Sequence, residues 1–219
     1  LHIDIDGDEV PIMDGSAAPF LLAIDQAGLC ILPASRRFLA IRRPVSVIDG
    51  EKRVSIIPSR FFRVTYDIAF DHPRIALQRR TVRVNPETFR RELAPARTFG
   101  FLRDVEQLKA MGLARGGSLE NAIVVDDQDI LNPEGLRYQD EFVRHKILDA
   151  IGDLSLIGYP ILGHVRAFKA GHDINHKLAN KILSCPDCWQ LLEFSDDDLR
   201  VAMQMNSLAF GARMALSEA

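Results

Sequence analysis

The sequence predicts a mixed α+β fold. Apolar and polar residues alternate from Phe38 to Phe70, the period of a half-buried strand, and a strong hairpin signal, Asp49-Gly50, interrupts that run. Further on, Phe142, Val143, Ile147 and Leu148 recur at helical spacing between Tyr138 and Ile151, the longest helical pattern in the chain.

In chain order, Leu1, Ile3 and Ile5 alternate with His2, Asp4 and Asp6 and predict an opening strand. Asp14-Gly15 is a turn signal, and Ser16 is placed to cap a helix whose stripe is Phe20, Leu21, Ile24 and Leu29, with Gly28 near its end. Ile31 to Arg37 reads as a linker at a domain boundary. Phe38–Ile48, Val54–Ile57 and Phe62–Phe70 then form an antiparallel meander. Pro86-Glu-Thr-Phe-Arg-Arg-Glu-Leu93 enters a helix with proline in its first turn. Between Arg97 and Asp126 a helix is expected around Asp104–Met111 and a strand over Ala122–Val125. The long helix ends near Gly152, a strand follows around Val165–Phe168, and Gly171 opens a last helix with Leu178, Ile182 and Leu183 inward.

Of the 219 residues 47% are hydrophobic and 26% charged, enough apolar residue for a sizeable core. The formal net charge of −3 excludes a uniformly basic nucleic-acid binder and a strongly charged disordered chain. No apolar run is long enough for a transmembrane segment, and the first residues carry no signal-peptide pattern. Three cysteines fit a reducing cytoplasm better than a disulfide scaffold, and Cys30 reads as a small buried residue. The charge is unevenly spread. From Arg36 to Arg103 there are 16 Lys/Arg against 6 Asp/Glu, a balance of +10, which leaves −13 on the remainder. A basic block suits a phosphorylated ligand or an anionic membrane surface, and it equally suits solvated strand faces.

Three clusters hold residues capable of chemistry. His145 and Asp149 are four apart, so a helix places imidazole and carboxylate on one face, as zinc ligands or as an ordinary ion pair; Glu141 and Asp153 extend the same stripe. His172 and His176 repeat that spacing after Gly171, with Lys169 suited to a phosphate just upstream, and a solvated helix start reads the same way. Cys185-Pro-Asp-Cys188 has the form of a redox or half-zinc motif but lacks a second ligand pair and the strand–helix context such a motif needs.

Taken together, these stretches resemble one family, the zinc-dependent UDP-3-O-acyl-N-acetylglucosamine deacetylases of lipid A synthesis (LpxC). The resemblance rests on Pro11-Ile-Met-Asp-Gly-Ser-Ala-Ala-Pro-Phe20, Ala96-Arg-Thr-Phe-Gly-Phe-Leu-Arg-Asp104, the Gly116–Asp127 stretch, the Leu136–Leu154 block around His145, and Phe168-Lys-Ala-Gly-His172. It implies two similar α/β two-layer domains, sheets outside and helices sandwiched between. Residues 1–36 would close an incomplete first domain, residues 37–200 would form the second with an acyl-passage insert at about 97–126, and residues 201–219 would be a tail.

The resemblance also implies a metal-dependent amide hydrolase that uses Zn²⁺ to convert the acetamide of UDP-3-O-acyl-N-acetylglucosamine to a free amine and acetate. The enzyme would be a cytoplasmic monomer of the Gram-negative type when complete, with peripheral membrane proximity and no nucleic-acid partner. His145 and Asp149 match metal ligands, Asp153 a supporting carboxylate, His172 the catalytic histidine and Thr98 a threonine beside the zinc. Lys146 and Lys169 match substrate-contacting lysines, and Phe70 an aromatic that contacts the nucleotide base. Phe99, Val105, Leu108, Ala114, Leu119 and Val124 fall where the family lines an acyl passage. The family's Thr-Val-Glu-His motif, with its general-base glutamate and third zinc histidine, has no match, since no Glu-His dipeptide occurs. That departure supports an alternative: a non-catalytic fragment that binds the acyl-UDP-sugar.

Overall fold

In the computed structural model the described residues are 2–7, 9–30, 32, 34–104 and 118–194. Ten strands are described: β1 (Arg36–Ile41), β2 (Val45–Asp49), β3 (Lys52–Ile57), β4 (Arg63–Ala69), β5 (Leu77–Arg83), β6 (Phe99–Phe101), β7 (Ile123–Val125), β8 (Ile161–Leu162), β9 (His164–Phe168) and β10 (Trp189–Phe194). The helices are α1 (Ala18–Ala27), a short α2 (Pro86–Thr88) that continues as a π turn over Phe89–Leu93, α3 (Glu141–Ser155) and α4 (His172–Leu183). The mixed α+β class holds.

A five-stranded sheet in the order β2-β3-β9-β4-β5 carries α3 and α4 on one face. Val54, Ile56, Val64, Tyr66, Ile68, Val82, Val165 and Ala167 point into that layer and are buried. They meet Phe142, Val143, Ile147, Ala150 and Leu154 of α3 and Ile174, Leu178 and Ile182 of α4 in one continuous core.

The meander is corrected. β9 lies between β3 and β4, antiparallel to the first and parallel to the second. β1 leaves this sheet altogether, pairing antiparallel with β10 and parallel with β8. A parallel neighbour requires a long crossover, which α3 supplies, and no period-two pattern encodes which distant strand will fill the gap.

Other local expectations also change. Residues 2–6 form no strand, and Ile3 and Ile5 are exposed. The Ser16 hydroxyl donates to Asp14 and accepts from the Ala18 amide, but the cap position is Ala17, and no residue of α1 is buried. α3 runs through Gly152 to Ser155 because Asp153 and Leu154 beyond it are buried, which offsets the roughly 1 kcal/mol cost of a helical glycine. Leu183 is half exposed and Cys30 exposed, while Cys185 and Cys188 are joined as a disulfide around the turn Pro186–Cys188. The helix expected around Asp104–Met111 and the residue 201–219 tail lie outside the described residues, apart from Asp104 itself. Among the described residues no helix is long and apolar enough to cross a membrane.

Candidate metal and catalytic site

The helical repeat brings His145, Asp149 and Asp153 onto successive turns of one α3 face. His145 is 9% exposed, and its Nδ1 donates to the Ala96 carbonyl at 2.9 Å. A carbonyl only accepts, so the proton sits on Nδ1 and Nε2 keeps its lone pair. Burial pushes the His145 pKa below the usual imidazole value, against the pull of Asp149, which keeps the ring neutral. Nε2 lies 3.3 Å from Asp149 Oδ1. Two donors that each bind one ion at about 2 Å in tetrahedral geometry stand roughly this far apart, so the pair fits a zinc ion. Among the described residues no set of three His, Cys, Asp or Glu side chains is arranged to hold a metal.

α4 brings the second half of the site. β9 ends at Phe168, Lys169 turns the chain in the left-handed region at φ 48°, and Gly171 caps the helix so that His172 opens it. His172 Nδ1 donates to both Asp153 oxygens at 3.0 Å, while Nε2 lies 4.0 Å from Asp149 Oδ2. Asn175 Nδ2 donates to Asp153 at 2.9 Å, and His176 Nε2 stands 3.2 Å from its other oxygen. The histidine pair His172/His176 is therefore organised around a carboxylate. The His172 side chain remains 62% exposed and open to a ligand.

Sequence reasoning missed the supports of this arrangement. Arg97, 3% exposed, donates from its backbone N and its Nε to Glu141 Oε1, both at 3.0 Å, and Glu141 is fully buried at the start of α3. That pair clamps residues 96–98 to the helix and so positions the carbonyl that orients His145. Thr98 is held from the other side: its amide donates to Gly15 O at 2.8 Å, and a Cβ on Gly15 would stand 2.1 Å from Asn121 O. Tyr66 lies beneath α3, fully buried, with no partner for its hydroxyl among the described residues. Burial, and then the charges of Asp149 and Asp153, push its phenol pKa up, so it stays protonated. Its strand position marked it as core, and no sequence signal separated it from its apolar neighbours.

The remaining predicted residues disperse around this centre. Lys146 pairs with Asp149 at 2.5 Å, and Lys169 with Glu51 at 2.7 Å. Phe70 packs in an aromatic cluster with Phe99 and Phe101, with centroids 5.8 and 5.7 Å away, and Phe99 stacks edge-on against Phe142. Val124 is buried in β7, whereas Leu119 is 40% exposed. Val105, Leu108 and Ala114 lie outside the described residues.

A sequence model described as UDP-3-O-acyl N-acetylglycosamine deacetylase (LpxC) matches residues 1–184. Curated proteins named UDP-3-O-acyl-N-acetylglucosamine deacetylase are similar over long stretches. That of Syntrophotalea carbinolica is 59% identical over 219 residues, covering 100% of this chain and 71% of its own length. Those of Citrifermentans bemidjiense and Myxococcus xanthus are 55% and 57% identical over 194 and 192 residues, covering 89% and 88% of this chain and 64% and 61% of theirs. The chain thus spans about two thirds of the length of the relatives it matches.

Proposed function

The chain belongs to the UDP-3-O-acyl N-acetylglycosamine deacetylase family, and on that premise we propose that it carries the metal-pair and acid half of a zinc-dependent deacetylase. The substrate is UDP-3-O-acyl-N-acetylglucosamine, whose acetamide is hydrolysed to a free amine and acetate in lipid A synthesis. The observation that supports this most directly is His172, held through Nδ1 by both oxygens of Asp153 beside the His145–Asp149 pair on the other helix.

His145 Nε2 and Asp149 are the groups that would hold zinc, which when bound would supply Lewis-acid chemistry at the acetamide carbonyl and at a water. Asp153 accepts from His172 Nδ1 at 3.0 Å and so aims Nε2 outward, where the ring serves as the acid when both nitrogens carry protons. In that state Nε2 donates to the oxyanion that develops on the carbonyl and then gives its proton to the leaving amine. Thr98 lies beside the centre on the clamped segment. Lys146 and Lys169 take the substrate's charged groups, Phe70 the base, and Phe99, Val105, Leu108, Ala114, Leu119 and Val124 the acyl chain. The family's general-base glutamate and third metal-ligating histidine have no counterpart in these residues, so in this reading both are supplied from outside them.

His172→Ala in the protein as its host makes it lowers kcat/KM by at least about a hundredfold while zinc content stays unchanged. Near-normal turnover would remove His172 from the mechanism. Asp149→Ala loses bound zinc, read by metal analysis after dialysis, and an unchanged metal content would refute its role as ligand. With only two donors of the metal set among the described residues, a second reading is a domain that binds the acyl-UDP-sugar without hydrolysing it. Deacetylation and substrate binding measured on one preparation separate the two.

A further inference from the structure

The five-stranded sheet has an outer face, away from α3 and α4, that the proposed deacetylation does not use. Four of the sixteen basic residues between Arg36 and Arg103, namely Arg53, Arg63, Arg79 and Arg83, share that outward register, and Arg166 of β9 joins them. Arg63 stands directly opposite Arg83 and beside His164, while Arg166 sits between Ser55 and Thr65. Like charges placed opposite each other across strands destabilise a sheet, so this arrangement carries a standing cost. The one carboxylate among them, Asp67, is 3.5 Å from Arg79. Among the described residues Arg53, Arg63, Arg83 and Arg166 make no ion pair, although Arg53 stacks over Phe168 and Arg83 over Phe61.

Between these side chains the twisted sheet forms a concavity of about 460 Å³, lined by Arg53, Arg79, Arg166, Thr65, His164 and the carboxylate of Asp67 among others, Asp67 being turned to Arg79. At its floor Thr65 Oγ1 is 2.8 Å from both Thr81 Oγ1 and His164 Nε2. Burial first, then the charges of Arg166 and Arg63, hold the His164 pKa below its usual value. Guanidinium forks on the rim, hydroxyls and an imidazole on the floor, and an aromatic ring at the end form a receptor for a tetrahedral oxyanion.

We propose that this concavity binds a phosphate or diphosphate group, gripped by Arg53 and Arg166 and received by Thr65 and His164. The site is independent of the metal pair, from which the thickness of the sheet separates it. Two sources carry this chemistry, a soluble phosphate ester and a phospholipid headgroup.

The test titrates inorganic diphosphate into histidine-labelled protein and follows the imidazole resonances, with His164→Gln to assign His164. A saturable shift of His164 that is at least tenfold weaker in Arg53→Ala/Arg166→Ala, with deacetylase rate and thermal midpoint maintained, supports the site. A His164 signal that does not respond, or an affinity unchanged in the double variant, overturns it. Diphosphate held only at the deacetylase centre moves His172 and leaves His164 still, which also overturns it without touching the deacetylase reading. Sedimentation with phosphatidylglycerol vesicles sorts the source. Capture that the double variant loses identifies a lipid headgroup, and diphosphate binding without capture identifies a soluble ester.

Discussion

The two faces of the five-stranded sheet are built from the same strands and are opposite in chemistry. The inner face buries Val54, Ile56, Val64, Val82 and Val165 against two helices and matches Arg97 to Glu141, His145 to Ala96, and Asp153 to His172 and Asn175, while the Tyr66 hydroxyl has no partner among the described residues. The outer face sets Arg63 opposite Arg83, with the Asp67 carboxylate 3.5 Å from Arg79. The contrast follows from solvent. A buried charge needs a partner within hydrogen-bond reach, whereas an exposed arginine is stabilised by water and tolerates like neighbours at small cost. Geometry for chemistry is therefore concentrated on the inner side and long-range attraction on the outer.

If that contrast is right, disturbing each face has a different size of effect. The largest belongs to the clamp. Glu141→Ala leaves the buried Arg97 with only the exposed Glu134, at 2.6 Å, as counter-charge and destabilises the fold by up to about 3–5 kcal/mol, measured by urea unfolding. A loss below about 1 kcal/mol would show that water reaches Arg97 and that the inner face is less demanding than described. Tyr66→Phe removes a hydroxyl that has no partner among the described residues, so stability stays level or rises by about 1 kcal/mol. A clear loss would reveal a partner for that hydroxyl and place Tyr66 in the polar network of Asp149 and Asp153. The smallest effect is on the outer face. Arg63→Ala relieves the cross-strand repulsion with Arg83 and raises stability by about 0.2–1 kcal/mol at low salt, fading as salt is added. A decrease instead would mean that Arg63 has a stabilising contact and that the face is not frustrated.

Much of the site was legible in one dimension because its key spacing is local. His145, Asp149 and Asp153 lie on one helix, and a period of 3.6 converts a spacing of four into a shared face with no knowledge of the rest of the fold. His172 was legible as a histidine after Gly171, but not its tie to Asp153, 19 residues away on another helix. Glu141 read as one more charge on the stripe, and only its contact 44 residues away with Arg97 shows that it is buried. The apolar residues of α1 looked like a core stripe, yet periodicity reports what a helix offers and not whether another element covers it.

By itself the amino-acid sequence determined the mixed class, the long helix with its imidazole and carboxylate on one face, the strand periods, and the family to which the chain belongs. Each depends on spacing within a few turns or on a run of residues in order. Tertiary structure alone decided that β9 enters between β3 and β4, that β1 leaves for a second sheet, that Tyr66 lies beneath the carboxylates, and that Arg53, Arg63, Arg79 and Arg83 gather with Arg166 on the face away from them. These are choices of long-range partner, set by which packing buries the most apolar surface while satisfying every buried polar group, and no local pattern carries that sum.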